Sequence, residues 1–281
     1  MEQFYGRVAV VTGAASGIGY AMAQRFAAEG MKIVLADIQA DALEEAEGNL
    51  RSAGAEVLAV ETDVARAESV EHLRDRALDA FGAVHILCNN AGVVARGSVW
   101  ETSAADWDWV LGVNLRGVVN GITAFVPVLL QQEEGHVVNT ASIAGLITGV
   151  LGSYSVTKQA VVGLSESLYL GLQMSGAENV GVSVLCPGWV RTRIGDAERN
   201  RPADAGPQTP ESPALAAGAQ MLRHLVDTGA DPGAIAEQVL EGIRERRFYI
   251  LTHPEMNGSI NSRFEDILSG GPPRIPNFQQ P

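Results

Sequence analysis

The sequence predicts a single α/β domain, a doubly wound parallel sheet of seven strands with helices on both faces. Three observations predict it. Short runs rich in β-branched residues are almost continuously apolar, as strands covered on both faces are. Longer helical patterns separate them, giving the βαβα alternation of a parallel sheet. A glycine-rich turn, Thr12-Gly13-Ala14-Ala15-Ser16-Gly17-Ile18-Gly19, joins the first run to the first helical stretch. Right-handed crossovers then leave a ligand crevice at the carboxyl ends of the strands.

Taken in order, Arg7–Val11, Lys32–Ala36, Glu56–Val60, Val84–Cys88, Gly135–Thr140 and Val180–Cys186 read as strands. Gly17–Glu29, Ala40–Ala53, Ala67–Phe81, Ala104–Gln131 and Ser153–Ser175 read as the intervening helices. Pro187-Gly188 then breaks the pattern. Residues 193–228 form an expected substrate flap, in which the Pro-, Gly- and Arg-rich stretch 194–213 leads into an alanine-rich helix. Pro232, favoured in a first helical turn, opens another helix to about Arg246, and Phe248–Leu251 reads as the seventh strand. The tail, 257–281, carries a short helical piece at 263–268 and a Pro/Gly-rich end. No repeat and no second core pattern interrupts 1–281, so one domain is expected.

A formal charge of −13 argues against nucleic acid or an anionic membrane as partner. Cys88 and Cys186 each end an apolar run, which suits buried inert thiols rather than a disulfide framework. No metal-ligand spacing occurs among the cysteines and the five histidines, so no metal is expected. The amino terminus lacks the basic segment and apolar core of a signal peptide. The most apolar stretch, 118–130, is too short for a membrane span. A cytoplasmic protein is the expectation.

Chemistry concentrates at the ends of the predicted strands. The glycines of the first turn permit close backbone approach to a pyrophosphate, whose charge meets the helix amino terminus. Asp37 ends the second strand, where a carboxylate accepts hydrogen bonds from a ribose 2′-hydroxyl and repels a 2′-phosphate. Ser16 and Ile38 add no positive charge there, which favours NAD over NADP. The other reading of Asp37 is a cap for the helix beginning at Ala40. Lys158 is one of two lysines among twenty basic side chains, and it follows Tyr154 by one helical turn. An ammonium beside a phenol favours the phenolate and suits the pair to acid–base work.

Together TGxxxGxG, Asp63-Val64, Asn89-Asn90-Ala91-Gly92, Asn114, Ser142, Tyr154-x-x-x-Lys158 and Pro187-Gly188 resemble, in kind and order, the motifs of the short-chain dehydrogenase/reductases. The resemblance spans roughly residues 5–192. It implies a Rossmann-type fold with NAD held by Gly13, Ser16, Gly17, Ile18, Gly19 and Asp37. Asp63 and Val64 would hold the adenine, and Asn90, Ala91 and Gly92 would support the cofactor. Pro187 and Gly188 would also line the cofactor, and Val190 and Thr192 after them would bind the nicotinamide carboxamide. It further implies Tyr154 as the acid–base group, Lys158 as its partner and a ribose ligand, Ser142 at the reacting oxygen, and Asn114 holding a relay water. Tetramers built on the two long helices are usual in that family, and Val161, Val162, Leu164, Leu168 and Leu172 are more apolar surface than one stripe needs. A homotetramer, with a dimer as fallback, is expected.

The positions flanking this chemistry are apolar: Val93, Val94, Ile143, Leu146, Val150, Leu151, Trp189 and Ile194. Of these Val94, Ile143, Val150, Leu151, Trp189 and Ile194 are the expected substrate pocket, which suits a hydrophobic aryl or alicyclic secondary alcohol or its ketone. Arg96, Arg191, Arg193 and Arg199 either admit an anionic group or are solvated surface charges. The flap and the Phe248–His253 segment resemble those of bacterial dehydrogenases acting on benzylic alcohols of lignin-derived aryl ethers. Related flaps occur in enzymes for steroid-like and terpenoid alcohols. Two other readings stand beside an NAD-dependent dehydrogenase: an NADPH-dependent ketoreductase, which Asp37 opposes, and a non-catalytic NAD-binding scaffold, which would have no use for an activated phenol.

Overall fold

Strands that alternate Val, Ile, Leu and Ala on both faces are stable only between two helical layers, and the chain builds them so. The structure, a computed structural model, describes residues 1, 3–95, 97–149, 151–203, 205–209 and 213–276. In chain order the elements are β1 (Val8–Thr12), α1 (Gly17–Ala28), β2 (Lys32–Asp37), α2 (Ala40–Ser52), β3 (Val57–Glu61), α3 (Ala67–Phe81) and β4 (Ile86–Asn89). There follow α4 (Ala104–Leu111), α5 (Gly117–Leu129), β5 (Gly135–Thr140), α6 (Gly152–Met174) and β6 (Val180–Cys186). The last are α7 (Pro213–Asp227), α8 (Pro232–Arg244), β7 (Tyr249–Leu251) and α9 (Asn257–Ser269).

The seven strands lie in the order β3-β2-β1-β4-β5-β6-β7, and every pair is parallel. Alternate residues of β1 face opposite layers. Ala9 and Val11 meet α1, α2 and α8 through Phe26, Leu43 and Ile235, whereas Val8 and Val10 meet α3, α5 and α6 through Leu73, Phe125 and Leu172. Strand order reverses between β1 and β4, and there the crevice opens.

Three features depart from the sequence reading. The helix expected over 104–131 ends at Leu129 and is interrupted by a π turn, Gly112–Arg116, with Asn114 at its centre. The tail helix is longer than expected, at Asn257–Ser269. The apolar residues of α6 that suggested a subunit contact belong to the core, because Val161, Val162 and Leu172 are buried beneath it and Leu164 and Leu168 pack against them. The apolar residues that α6 does leave outward are Val156, Tyr169, Leu170 and Met174, the last 89 % exposed. The stretch Ala104–Leu129 is long and apolar enough, by length and composition, to cross a membrane. It lies instead along the sheet, burying Val110, Val118, Phe125 and Leu129.

The flap residues are tied to the body at one buried point. Asp106 of α4 accepts from the amide and hydroxyl of Thr209, at 2.8 and 2.5 Å, and pairs with Arg201, whose guanidinium lies 5.4 Å from the Trp109 ring centre. Burial works to raise the Asp106 carboxyl, but the hydrogen bonds from Thr209 and Arg201 outweigh it and hold the group below its ordinary range.

Under the sheet, His136 of β5 contacts the Ser183 hydroxyl at 2.8 Å, and burial, reinforced by the N-terminal amine and Arg246, pushes its pKa down to about 3. His85 is depressed in the same sense, by burial and then by Arg7. In the unfolded chain both titrate near pH 6.5. The unfolded state therefore binds more protons below that pH, and the stability from the neutral imidazoles is lost as pH falls from about 6.5 toward 3. The urea midpoint should drop across this window in the native protein and drop less steeply in His136→Gln. Parallel profiles would remove His136 from the acid response.

Candidate active site

The crevice is assembled from strand ends. Thr12 closes β1, and its hydroxyl accepts from the amides of Asn90 at 2.9 Å and Ala91 at 3.1 Å. The Asn90 side chain donates back to the Thr12 carbonyl at 3.0 Å. These bonds fix the end of β4 against the glycine turn. Gly13 has φ +63°, and a Cβ there would lie 2.8 Å from the Ala91 backbone, while one at Gly19 would strike the Gly13 carbonyl. Only glycine allows this approach, which leaves a bare backbone concavity at the start of α1.

Asp37, at the end of β2, accepts from the Ala15 amide at 3.0 Å and the Gln39 amide at 3.1 Å. The carboxylate braces the glycine turn and holds the approach to α2, while the N-cap position of α2 itself is taken by Gln39. Asp63 caps the Ala65 amide at 3.0 Å, and the Val64 carbonyl accepts from Asn120 at 2.8 Å. Across the crevice, Thr192 packs against Gly17. Val190 is bridged to Ala230, and the Pro187 carbonyl accepts from the Ile143 amide at 2.8 Å. Gly13, Ser16, Gly17, Ile18, Asp37, Asp63, Val64, Asn90, Ala91, Gly92, Pro187, Gly188, Val190 and Thr192 all line one cleft of about 1040 Å³. Gly19 lies behind its wall.

Ser142, Tyr154 and Lys158 line the same cleft. Ser142 follows β5 and donates to the Pro187 carbonyl at 3.3 Å, and its oxygen accepts from the Ala144 amide. Gly145 lets this turn press on α6, since a Cβ there would lie 2.6 Å from the Lys158 carbonyl. Lys158 is 3 % exposed and donates to the Thr140 carbonyl at 2.8 Å. Its Nζ lies 5.6 Å from the centre of the Tyr154 ring. Asn114, fully buried in the π turn, accepts from the Val93 amide at 2.8 Å and donates to the Val93 carbonyl and the Thr157 hydroxyl. A Cβ at Gly92 would sit 3.5 Å from Lys158 Nζ and 3.6 Å from Asn114 Oδ1, so both side-chain ends meet at that glycine.

The electrostatics differ from the sequence expectation in one respect. Burial pushes the Tyr154 phenol up, opposed by the Ser142 hydroxyl. Burial also pushes Lys158 down, to about 8. The ammonium is turned toward Thr140, so the protein alone does not produce the low-pKa phenol that the spacing suggested. Cys88 and Cys186 are buried and free, and burial raises both thiols, Cys186 to about 12.

Of the expected substrate positions, Val94, Ile143, Leu151, Trp189 and Ile194 line the cleft. Val150 lies outside the described residues, as does Arg96. Leu146 turns away and packs with the core around Val118 and Val161. The sequence reading missed Ile147, Ala197 and Met256, and the wall supplied by α7 through Met221, Leu222, Leu225 and Val226. The spacing of these last four is that of one helical face, and it was legible as such. Arg191 pairs with Asp231 at 2.6 Å on the surface, whereas Arg193 and Arg199 reach the cleft.

The sheet order, the glycine turn and the Ser142, Tyr154 and Lys158 set in the cleft define an oxidoreductase of the short-chain dehydrogenase class. Comparison agrees: the sequence profile of the short chain dehydrogenase family matches residues 7–203, and the chain belongs to that family. It is 36 % identical over 280 residues to the CLA biosynthesis dehydrogenase/reductase of Lactiplantibacillus plantarum, covering 98 % of both chains. It is 34 % identical to the C alpha-dehydrogenase of Sphingobium sp., covering 97 % of this chain and 89 % of that one. A short-chain dehydrogenase/reductase from Burkholderia phymatum, crystallised in complex with NAD, superposes with a TM-score of 0.96 at 47 % identity over 99 % of each chain.

Depressing a buried lysine from 10.5 to about 8 costs the fold about 3 kcal/mol at neutral pH. Losing the bond to the Thr140 carbonyl would give back about 1 kcal/mol of that. Lys158→Met should therefore raise the denaturation free energy by about 1–2 kcal/mol near pH 7. The gain should shrink as pH rises from about 8 to 10.5, where the unfolded lysine loses its extra proton. Equilibrium unfolding at pH 7 and pH 10 checks both statements, and a destabilised variant contradicts them.

Proposed function

We propose that the protein is an NAD-dependent dehydrogenase interconverting a hydrophobic secondary alcohol, aryl or alicyclic, and its ketone. The carrying observation is that Ser142, Tyr154 and Lys158 stand where the glycine-lined half of the cleft meets its apolar half. The bare concavity at Gly13 and Gly19 fits a pyrophosphate, and the carboxylate of Asp37 suits an unphosphorylated ribose. The Burkholderia relative bound to NAD supports that choice.

Bound NAD supplies the hydride acceptor and a positive charge beside the phenol. The protein's residues do the rest. Tyr154 takes the hydroxyl proton as the C–H bond yields its hydride, and gives it back in the reverse direction. Ser142 donates to the reacting oxygen, and Lys158 supplies the charge that favours the phenolate. Asn114 holds the end of the relay that returns the proton to solvent. Val94, Ile143, Leu151, Trp189 and Ile194, with the α7 face, exclude water and bind apolar surface. The whole chain is read as one domain with 193–228 as its lid.

An NAD-reduction screen over aryl, alicyclic and steroid secondary alcohols tests the reading. Turnover is expected with at least one class. Tyr154→Phe should abolish it while leaving NADH affinity within about twofold, since the phenol acts on the substrate proton. Lys158→Arg should lose at least 100-fold in turnover and shift the pH profile of the remainder upward, because a forked guanidinium does not replace a compact ammonium. Tight NAD binding without turnover across the panel would favour a binding protein instead.

The assembly is read as a homotetramer. Val119 of α5 and Val156, Tyr169, Leu170 and Met174 of α6 support this by leaving apolar surface exposed on the two long helices. Light scattering at micromolar concentration should give four times the monomer mass. A monomer rejects the assembly.

A further inference from the structure

The glycine turn and the Asp37 rim of the cleft bring no cation of their own, and Lys158 lies beyond them against the Thr140 carbonyl. Ser16, Gly17 and Ile18 are uncharged, and Asp37 adds a negative charge in a chain already at −13. A dinucleotide brings two phosphates to this place. The flap supplies a counter-charge. Arg199 ends a 3₁₀ segment, Ile194–Asn200, and its guanidinium is pre-positioned by that segment's own backbone. Nη1 donates to the carbonyls of Arg193 at 2.8 Å and Asp196 at 2.9 Å. Nε donates to the Gln39 side-chain oxygen at 3.2 Å, across the cleft, at the start of α2. Asp37, Ile38 and Arg199 line the same cleft as the glycine turn. Asn200 beside it also lines the cleft, and its Oδ1 is buried with no hydrogen-bond partner among the described residues.

The flap thus crosses from the nicotinamide side, where Thr192 and Ile194 stand, to the rim that Asp37 and Gln39 form. We propose that Arg199 is a cofactor-gripping residue: the flap carries it over the ribose–phosphate part of the dinucleotide, so flap closure and dinucleotide binding stabilise each other. The linkage is reciprocal: a closed flap tightens dinucleotide binding by the same factor by which bound dinucleotide favours the closed flap. The proposal rests on the NAD reading and assigns to the flap a role in cofactor retention as well as in covering substrate.

The test measures NADH and ADP-ribose binding without any alcohol present, by calorimetry and by stopped-flow dissociation. One charge-assisted contact to phosphate is worth roughly a factor of ten in affinity. Arg199→Ala and Arg199→Gln should each weaken NADH and ADP-ribose about tenfold, mostly through faster dissociation, with an unchanged melting temperature. Arg76→Ala, on the exposed face of α3, removes the same charge far from the cleft and should leave affinity unchanged. NADH should protect the flap of the native protein from thermolysin and should not protect that of Arg199→Ala. Native-like affinity, dissociation and protection in both Arg199 variants overturn the proposal. A loss that appears only when an alcohol is also bound does the same, because it makes Arg199 a substrate residue. A native protein that binds neither NADH nor ADP-ribose overturns the cofactor reading underneath, which the same titrations distinguish.

Discussion

Parallel strands deliver every carboxyl end to the same edge of the sheet, and this protein spends that edge on chemistry. Thr12, Asp37, Asn89 and Thr140 close four of the strands, and the turn after β6 begins with Pro187. The reversal of strand order between β1 and β4 separates the loops on either side, which is what makes room for a ligand. The Thr12–Asn90 hydrogen bonds tie the two strands at the reversal, and the glycine turn takes its shape from them. Ser142 and Lys158 depend on the next pair of ends, through the carbonyls of Pro187 and Thr140. A shift in the sheet register would move each of these groups at once.

The same arrangement explains why the lysine is so deeply placed. An ammonium can be buried only where several oxygens face it, and the end of β5 offers one from the backbone. Its pKa falls because the remaining surroundings are α6, the Gly92 backbone and the Tyr154 ring. The fold carries an electrostatic penalty at this point, as functional sites commonly do. Tyr154 carries the opposite one, being harder to ionise than a free phenol. Burial therefore opposes the charged form of each, yet with a pKa of about 8 Lys158 still carries its charge at neutral pH.

Much of this was legible before any coordinates. The strands and most helices followed from periodicity, because a two-sided parallel sheet writes itself as apolar runs. The glycine-lined part of the cleft was legible because its residues are constrained by backbone geometry, which leaves glycines and bracing carboxylates at fixed spacings. The missing parts have different causes. The π turn at Asn114 adds one residue to a helical turn without changing the apolar pattern. The Asp106–Arg201 pair joins residues 95 apart, a distance over which local patterns carry no information. The surplus apolar residues of α6 misled for a related reason: a helix packed on a sheet and against neighbouring helices buries more than one stripe. The α7 residues are legible as one face of a helix, but that this face covers the cleft depends on where the flap lands, which their spacing does not record.

The anchoring of the flap has a consequence for how such a chain can change its substrate. Asp106 holds Arg201 and Thr209 to α4, and the Ala230 amide bonds to the Trp189 carbonyl at the far side of α7. Neither attachment passes through α6, where Tyr154 and Lys158 reside. Side chains on the inner face of α7, between these two moorings, can thus change without altering either attachment or the seat of Tyr154 and Lys158, so the apolar wall of the cleft is free to vary apart from the residues of α6.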